Sequence, residues 1–399
     1  MATLFVNGKV IIGTGELMEK GMVAVDGNTI TSVGPIQRFK SSKKDTVFDI
    51  SGKTILPGLI DCHVHLCLDG SPDPITSILK DSIPHLTLKA AHHARQTLEA
   101  GVTTVRDMGG RDYVDIAIRD GIESGLLQGP RMICSGRLVC MTGGHGWQFG
   151  REASGADEVR KAVREQLKMG VNFIKLIATG GVMTKGVDPG ATQFTLEELR
   201  AGVEEARKAG RRTATHAQGT EGIKNSLRAG VNCIEHGFFL DDEAIELMLE
   251  MNAYLVPTLN APYQIIRGGV KRGVPRYAVE KSKSVMKSHF QSIRRAHRAK
   301  IPVAMGTDAG TPFNCHGENL KEMELLMKTG FTPMETIVAT TQTASEVLCL
   351  EKKIGTLEKG KLADLVVVDG NPLDDIRLLQ IKEKILVVMK EGCFYKCEL

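Results

Sequence analysis

Through the middle of the chain, short apolar runs alternate with amphipathic stretches of helical period. The candidate strands are Leu59–His65, Thr103–Asp107, Arg131–Ser135, Phe173–Ala178, Thr213–His216, Cys233–His236, Tyr254–Thr258 and Val303–Asp308. Between them lie helix-like runs such as Leu88–Ala100, Ala156–Met169, Leu196–Ala209, Gly219–Ala229 and Asp241–Met251. Gly101, Gly170, Gly210 and Gly230 close four of these runs, where a left-handed helix cap favours glycine. Thr195-Leu196-Glu197-Glu198 has the form of a capping box. Strand–helix alternation signals a parallel sheet, and eight units predict an α/β fold, a (β/α)8 TIM barrel over residues 57–350. An open doubly wound sheet is the alternative, but no GxGxxG fingerprint follows the first strand.

The two ends of the chain have a different texture. Residues 1–56 carry strand-like pieces and turn signals: Leu4–Val6 into Asn7-Gly8, a hairpin signal, then Val10–Ile12; and Met22–Val25, Asp26-Gly27-Asn28, Ile30–Val33. This reads as a small antiparallel unit with no chemistry in it. Strand texture returns over 351–399, in Ala363–Val368 and Ile385–Lys390. The simplest arrangement joins both termini into one small β-sandwich domain, with the barrel inserted between its halves.

Composition narrows the class without changing this picture. The formal charge of +4 is small for 399 residues, and no basic stripe with interleaved aromatics marks a nucleic-acid partner. Nine cysteines are scattered without CxxC pairs, and Cys134, Cys233 and Cys349 sit in apolar runs where a free buried thiol is expected. The first residues lack a basic leader with a long apolar core, and no window reaches the roughly eighteen apolar residues of a membrane span. A cytoplasmic protein without membrane contact is expected.

The polar residues that interrupt the strands carry the chemistry. Leu56-Pro57-Gly58-Leu59-Ile60-Asp61-Cys62-His63-Val64-His65 ends in two histidines on one face of a strand. Lys175 lies in the fourth strand, His216 ends the fifth, His236 ends the sixth and Asp308 ends the eighth. Taken singly, a strand-terminal histidine is more often structural than a ligand, a lysine can snorkel outward, and an aspartate before Ala-Gly is often a turn. Together they meet at one rim, because the carboxyl ends of barrel strands converge. Burying six such groups unpaired would cost several kcal/mol each, and a metal removes that cost. His145, in the glycine-flanked loop Met141–Trp147, is a candidate to polarise a carbonyl oxygen.

This ordered set, with Pro57–Asp61 leading in and the Gly360–Val366 and Asp369–Pro372 runs near the end, resembles the amidohydrolase superfamily over nearly the whole chain. The resemblance implies a binuclear centre of two divalent ions, usually zinc. His63, His65 and Asp308 would hold one ion and His216 and His236 the other, with a carboxylated Lys175 and a hydroxide as bridges. Single-metal relatives, including many deaminases, lack the lysine. A carbamate supplies two anionic oxygens where an ammonium would be repelled by the ions. Such a centre makes water a nucleophile by lowering its pKa to about 7. Asp308 would take its proton and pass it to the leaving amine.

Gly143–Gly146 and Ile174–Gly181 are most similar to the Xaa-Pro dipeptidase and arginine-carboxypeptidase-like group, itself imidazolonepropionase-related. The activity implied is cleavage of the last amide bond of dipeptides or N-acyl amino acids. A related group cleaves ochratoxin-like aryl-acyl amides, and the same scaffold elsewhere hydrolyses cyclic amides or deaminates. The sequence departs from the dipeptidases at Ala217-Gln218 and at Gly237-Phe238-Phe239, making Gln218 and Phe238 candidate substrate contacts. A small-molecule substrate is expected; superfamily relatives are often homo-oligomers, and the sequence marks no interface. Other residues read as structural: His92 and His93 as a solvated helix face, Cys62 as core, Asp61 as a buried hydrogen-bonding group. Arg267, Lys271 and Arg272 read as a solvated charge run, and Cys315-His316 as a possible edge of the pocket.

Overall fold

A computed structural model describes residues 2–35, 42 and 44–399; Met1, 36–41 and 43, all in the expected N-terminal unit, lie outside the described residues. Seven of the eight expected central strands are present: Leu59–Val64, Val102–Asp107, Arg131–Cys134, Ile174–Ile177, Thr213–Ala217, Cys233–His236 and Tyr254–Val256. All pair in parallel with their neighbours, the first three as one sheet and the last four in another that also holds the short strands Val139–Cys140 and Arg151–Glu152. Their residues are nearly all buried, as parallel strands covered on both faces must be. The result is a mixed α/β fold.

The expected eighth strand, Val303–Asp308, does not form as a regular strand. Val303 makes one parallel bridge to Leu255, and Ala309 makes one to Val64. Asp308 has a left-handed φ of +60°, incompatible with extended backbone. The segment still spans the gap between the last and first strands, through Ala304 N–H to Leu255 O (3.0 Å), Cys62 N–H to Met305 O (2.9 Å) and His65 N–H to Ala309 O (3.0 Å). Tyr254–Val256 also stops short of Thr258, because Pro257 has no N–H to donate and Thr258 takes a φ of +55°.

The helices follow the hydrophobic period closely: Ile83–Glu99, Ala156–Lys168, Leu196–Lys208, Thr220–Ala229 and Asp242–Glu250. Gly101, Gly170, Gly210 and Gly230 all take positive φ. The capping box is formed, Thr195 Oγ1 accepting from Glu198 N–H (3.2 Å) and Glu198 Oε2 from Thr195 N–H (2.8 Å). A 23-residue helix, Arg276–Arg298, precedes the irregular eighth segment.

Strands from both ends of the chain share one eight-stranded sheet, running Cys393–Cys397, Ile385–Lys390, Leu365–Asp369, Lys53–Pro57, Thr3–Ile11, Leu17–Asp26 and Thr29–Gly34, with Thr46–Asp49 also paired to Thr3–Ile11. Its apolar residues form a core of their own, Phe5, Val23, Ile55, Leu365 and Val387 among them. The sheet is mixed rather than antiparallel, since Thr3–Ile11 runs parallel to both Thr46–Asp49 and Lys53–Pro57. The hairpin expected at Asn7-Gly8 is absent. One strand runs through, and Asn7 (φ +68°) marks a register shift between Val6 and Gly8. Gly8 is needed there, because a Cβ would lie 2.6 Å from Ile50 Cδ1. The sheet is tied to the parallel strands by Gly58 N–H to Asp364 O (2.8 Å) and by the Arg131–Asp364 ion pair.

Two further expectations are corrected. His93 is buried rather than solvated: its Nδ1 bonds Leu66 O (2.8 Å) and its ring stacks on His316 at 4.6 Å, because that helix face packs on the loop after the first strand. Cys349 is exposed, just beyond the helix Gln342–Val347, whereas Cys134 and Cys233 are buried free thiols.

Candidate metal centre

Four strand ends and one irregular segment deliver His63, His65, Lys175, His216, His236 and Asp308 to the wall of a single cavity, together with His145 and Gln218. Ligand atoms of His63, His65 and Asp308 all lie within 4.8 Å of one another. The Nε2 atoms of both histidines are 3.5 Å from Asp308 Oδ1. The His236 ring lies 5.0 Å from that of His63 and 4.5 Å from that of His216, centroid to centroid.

Each imidazole has one nitrogen committed to a protein acceptor. His63 Nδ1 meets Glu235 Oε2 (2.8 Å), His65 Nδ1 meets Gly109 O (2.7 Å), and His216 Nε2 meets Gly180 O (2.9 Å). His236 Nδ1 meets Thr258 Oγ1 (2.7 Å), whose own proton goes to Pro257 O (2.7 Å), so the hydroxyl accepts from the ring. The proton therefore sits on the outward nitrogen in all four, and the lone pair faces inward on Nε2 of His63, His65 and His236 and on Nδ1 of His216. Such outer partners fix the tautomer and aim of metal-binding imidazoles.

The electrostatics match. Burial pushes His63, His216 and His236 well below the ordinary histidine range and His65 to about 4, keeping the rings neutral. Burial raises Asp308 to about 7, Lys175 notwithstanding, and lowers Lys175 to about 8. The Lys175 ammonium nitrogen is buried with no hydrogen-bond partner among the described residues. His236, Thr258 and Asp308 are held at φ of +74°, +55° and +60°, sparsely populated values that surrounding structure must enforce. An orphaned amine, neutral imidazoles aimed inward and a carboxyl facing them make a donor set that suits divalent cations.

The remaining predicted residues divide. His145 stands beside the cluster, 4.3 Å from His216 between ring centroids, with Nδ1 on Thr184 Oγ1 (2.7 Å) and its N–H on Gln193 Oε1 (3.0 Å). Gln218 is on the wall, its Oε1 buried and without a partner. Phe238 is not on the wall: it packs behind it, 4.2 Å from the His289 ring. Asp61 is buried and bonded to Thr307 Oγ1 (2.6 Å) and Asn319 Nδ2 (2.7 Å). Cys62 is buried, Cys315 and His316 lie off the wall, and Arg267, Lys271 and Arg272 are exposed.

Glu235 and Arg106 were not anticipated. Glu235 is fully buried between His63 Nδ1 and Arg106 Nη2 (2.7 Å), and Arg106 Nε also donates to Cys62 O (2.7 Å). Burial alone would raise the Glu235 carboxyl, but Arg106 and His63 overcome it and bring it to about 2. The signal in the sequence was a glutamate inside the apolar run Cys233–His236 and an arginine inside Val102–Asp107.

A mixed α/β fold with converging histidines, a buried lysine and an aspartate at strand ends defines a class of hydrolytic enzymes that generally bind metals. The chain belongs to the amidohydrolase family, whose model matches residues 54–393. Among solved structures it is similar to a Xaa-Pro dipeptidase with bound methionine in the active site, at 35% identity and a TM-score of 0.91, covering 99% of this chain and 100% of that one. It is also similar to a prolidase complexed with N-methylphosphonate-L-proline, at 30% identity and a TM-score of 0.92 over 100% of both chains. Ochratoxinase of Aspergillus niger is 29% identical over 99% of this chain and 86% of its own length. Among the described residues, no helix is long and apolar enough to cross a membrane.

The titration of this cluster makes a prediction for the metal-free protein. With the Asp308 carboxyl at about 7, a proton must leave before a cation binds at lower pH. Zinc affinity, measured by chelator competition, is expected to fall about tenfold per pH unit below 7 from Asp308 alone. The neutral histidines add nothing until lower pH. An affinity independent of pH between 6 and 7 would contradict a protonated Asp308.

Proposed function

We propose that this chain is a zinc-dependent amidohydrolase that cleaves the amide bond of dipeptides or N-acyl amino acids. The supporting observation is the set of four tautomer-fixed imidazoles around the partnerless Lys175 and Asp308. His63, His65 and Asp308 would hold one ion, His216 and His236 the second, and a carboxylated Lys175 would join them. When bound, the ions lower the pKa of water to about 7 and polarise the scissile carbonyl. A neutral amine is the form that adds carbon dioxide, and burial of Lys175 favours that form.

Asp308 takes the proton of the attacking water and returns it to the departing nitrogen. Thr184 donates to His145 Nδ1 in this reading, leaving Nε2–H to face the carbonyl oxygen as it gains charge. Gln218, with its free amide oxygen, accepts from the substrate. Leu68, Leu138, Phe149, Val182, Met183 and Ile265 give the cavity an apolar wall. That wall, and the similarity to ochratoxinase, support aryl-acyl amino acid amides as a second substrate class.

The architecture belongs to the same reading. We take the parallel strands and the 303–309 segment as one closed barrel over 57–350. Residues 1–56 and 351–399 then form the small β-sandwich domain, in a cytoplasmic protein. Dipeptide and N-acyl amino acid libraries screened against zinc-reconstituted protein test the function. The expected result is release of a free amino acid. Ammonia as the product would indicate deamination, and no turnover with stoichiometric zinc would refute the assignment.

A further inference from the structure

The parallel strands enclose a second cavity at their opposite, amino-terminal ends. Its volume is about 260 Å3, and Phe173, Thr213, Cys233 and Tyr254, all at strand beginnings, help to line it with the 347–350 segment. It shares no lining residue with the histidine cavity.

Its wall has an unbalanced charge. Three arginines, Arg106, Arg211 and Arg212, line it, and among the described residues no aspartate or glutamate does. Arg106 is paired with Glu235, but Arg211 and Arg212 have no ion pair among the described residues. Arg212 Nη1 instead donates to Glu346 O (2.8 Å), while the Glu346 carboxylate accepts from Gln342 (3.2 Å). The Arg212 guanidinium carbon lies 5.6 Å from the Tyr254 ring centroid. The rest of the wall is mixed, with Ile133, Phe173, Tyr254 and Leu348 as its apolar part and Asn172, Thr213 and Asn232 as polar neighbours.

We propose that this basal cavity is a binding site for a small organic anion, a monocarboxylate with an aromatic or branched apolar body. Guanidinium groups bind carboxylate through paired hydrogen bonds, and the aromatic and aliphatic wall removes the body from water. The volume admits a body of at least one ring. The site stands independently of the hydrolytic reading. It is nonetheless close to the metal centre in bonded terms, since Arg106 holds Glu235 and Glu235 holds His63.

Calorimetric titration of the metal-free protein with phenylacetate tests the site. Saturable binding is expected, weakened at least about tenfold in the Arg211→Gln/Arg212→Gln variant, which corresponds to 1.4 kcal/mol. Binding should be unchanged in Asp308→Asn, which alters only the other cavity. Inorganic phosphate, an anion without an apolar body, should bind more weakly than phenylacetate. Absence of saturable binding, insensitivity to the arginine substitutions, loss in Asp308→Asn, or tighter binding of phosphate would each overturn the proposal. Circular dichroism and thermal melting of both variants confirm that they remain folded.

Discussion

Replacing Lys175 by alanine is expected to reduce turnover by more than about 10^3-fold, above the usual cost of deleting one transition-state hydrogen-bond donor. The amine is buried, has no hydrogen-bond partner among the described residues and shares a cavity wall with five imidazoles and Asp308. A protonated lysine there would oppose cations, and the proposed carbamate would reverse that charge on metal loading. Metal content should therefore fall together with activity, which elemental analysis of the variant would read directly. Because the amine makes no hydrogen bond among the described residues, the metal-free variant should still fold, which circular dichroism would check. A variant that kept both its metal and its activity would remove Lys175 from the centre.

The second large effect is on stability. Arg106→Ala is expected to cost about 3–5 kcal/mol in denaturant unfolding of the metal-free protein, because it leaves Glu235 buried without its counter-ion. Glu235 has no exposed surface, and its one remaining hydrogen-bond partner among those described, His63, is a neutral ring. The double variant Arg106→Ala/Glu235→Ala should lose less than the sum of the two single changes, since it strands no charge. Additive losses would mean that the two groups do not depend on each other.

The candidate ligands were legible because each breaks an apolar run near the end of a strand, so polarity and position coincide in the sequence. Their supporting groups were not. Thr258, Gly109 and Gly180 bond the rings through a hydroxyl or backbone carbonyls, and any residue carries a carbonyl. Glu235 and Arg106 come from strands far apart in sequence, and their pairing exists only once the sheet is wound. The central helices were equally legible, since period and glycine caps agree. Asn7-Gly8 misled because a positive φ at Asn7 serves a bulge as well as a turn. The eighth strand misled for a related reason: the residue that faces the cavity, Asp308, has a backbone turned out of the extended form. His93 misled because sequence shows a helix face but not the loop laid against it.

The shared terminal sheet has a consequence for biosynthesis. Lys53–Pro57 pairs with Leu365–Asp369, and Thr54 Oγ1 donates to Gly370 O across 316 positions of sequence (2.7 Å). A ribosome delivers the first partner long before the second, so Lys53–Pro57 emerges with one edge lacking its eventual neighbour. That edge stays vulnerable to pairing with other nascent chains until translation is nearly complete. Pairing of Leu365–Asp369 with Lys53–Pro57 then covers that edge and ties the two ends of the chain together.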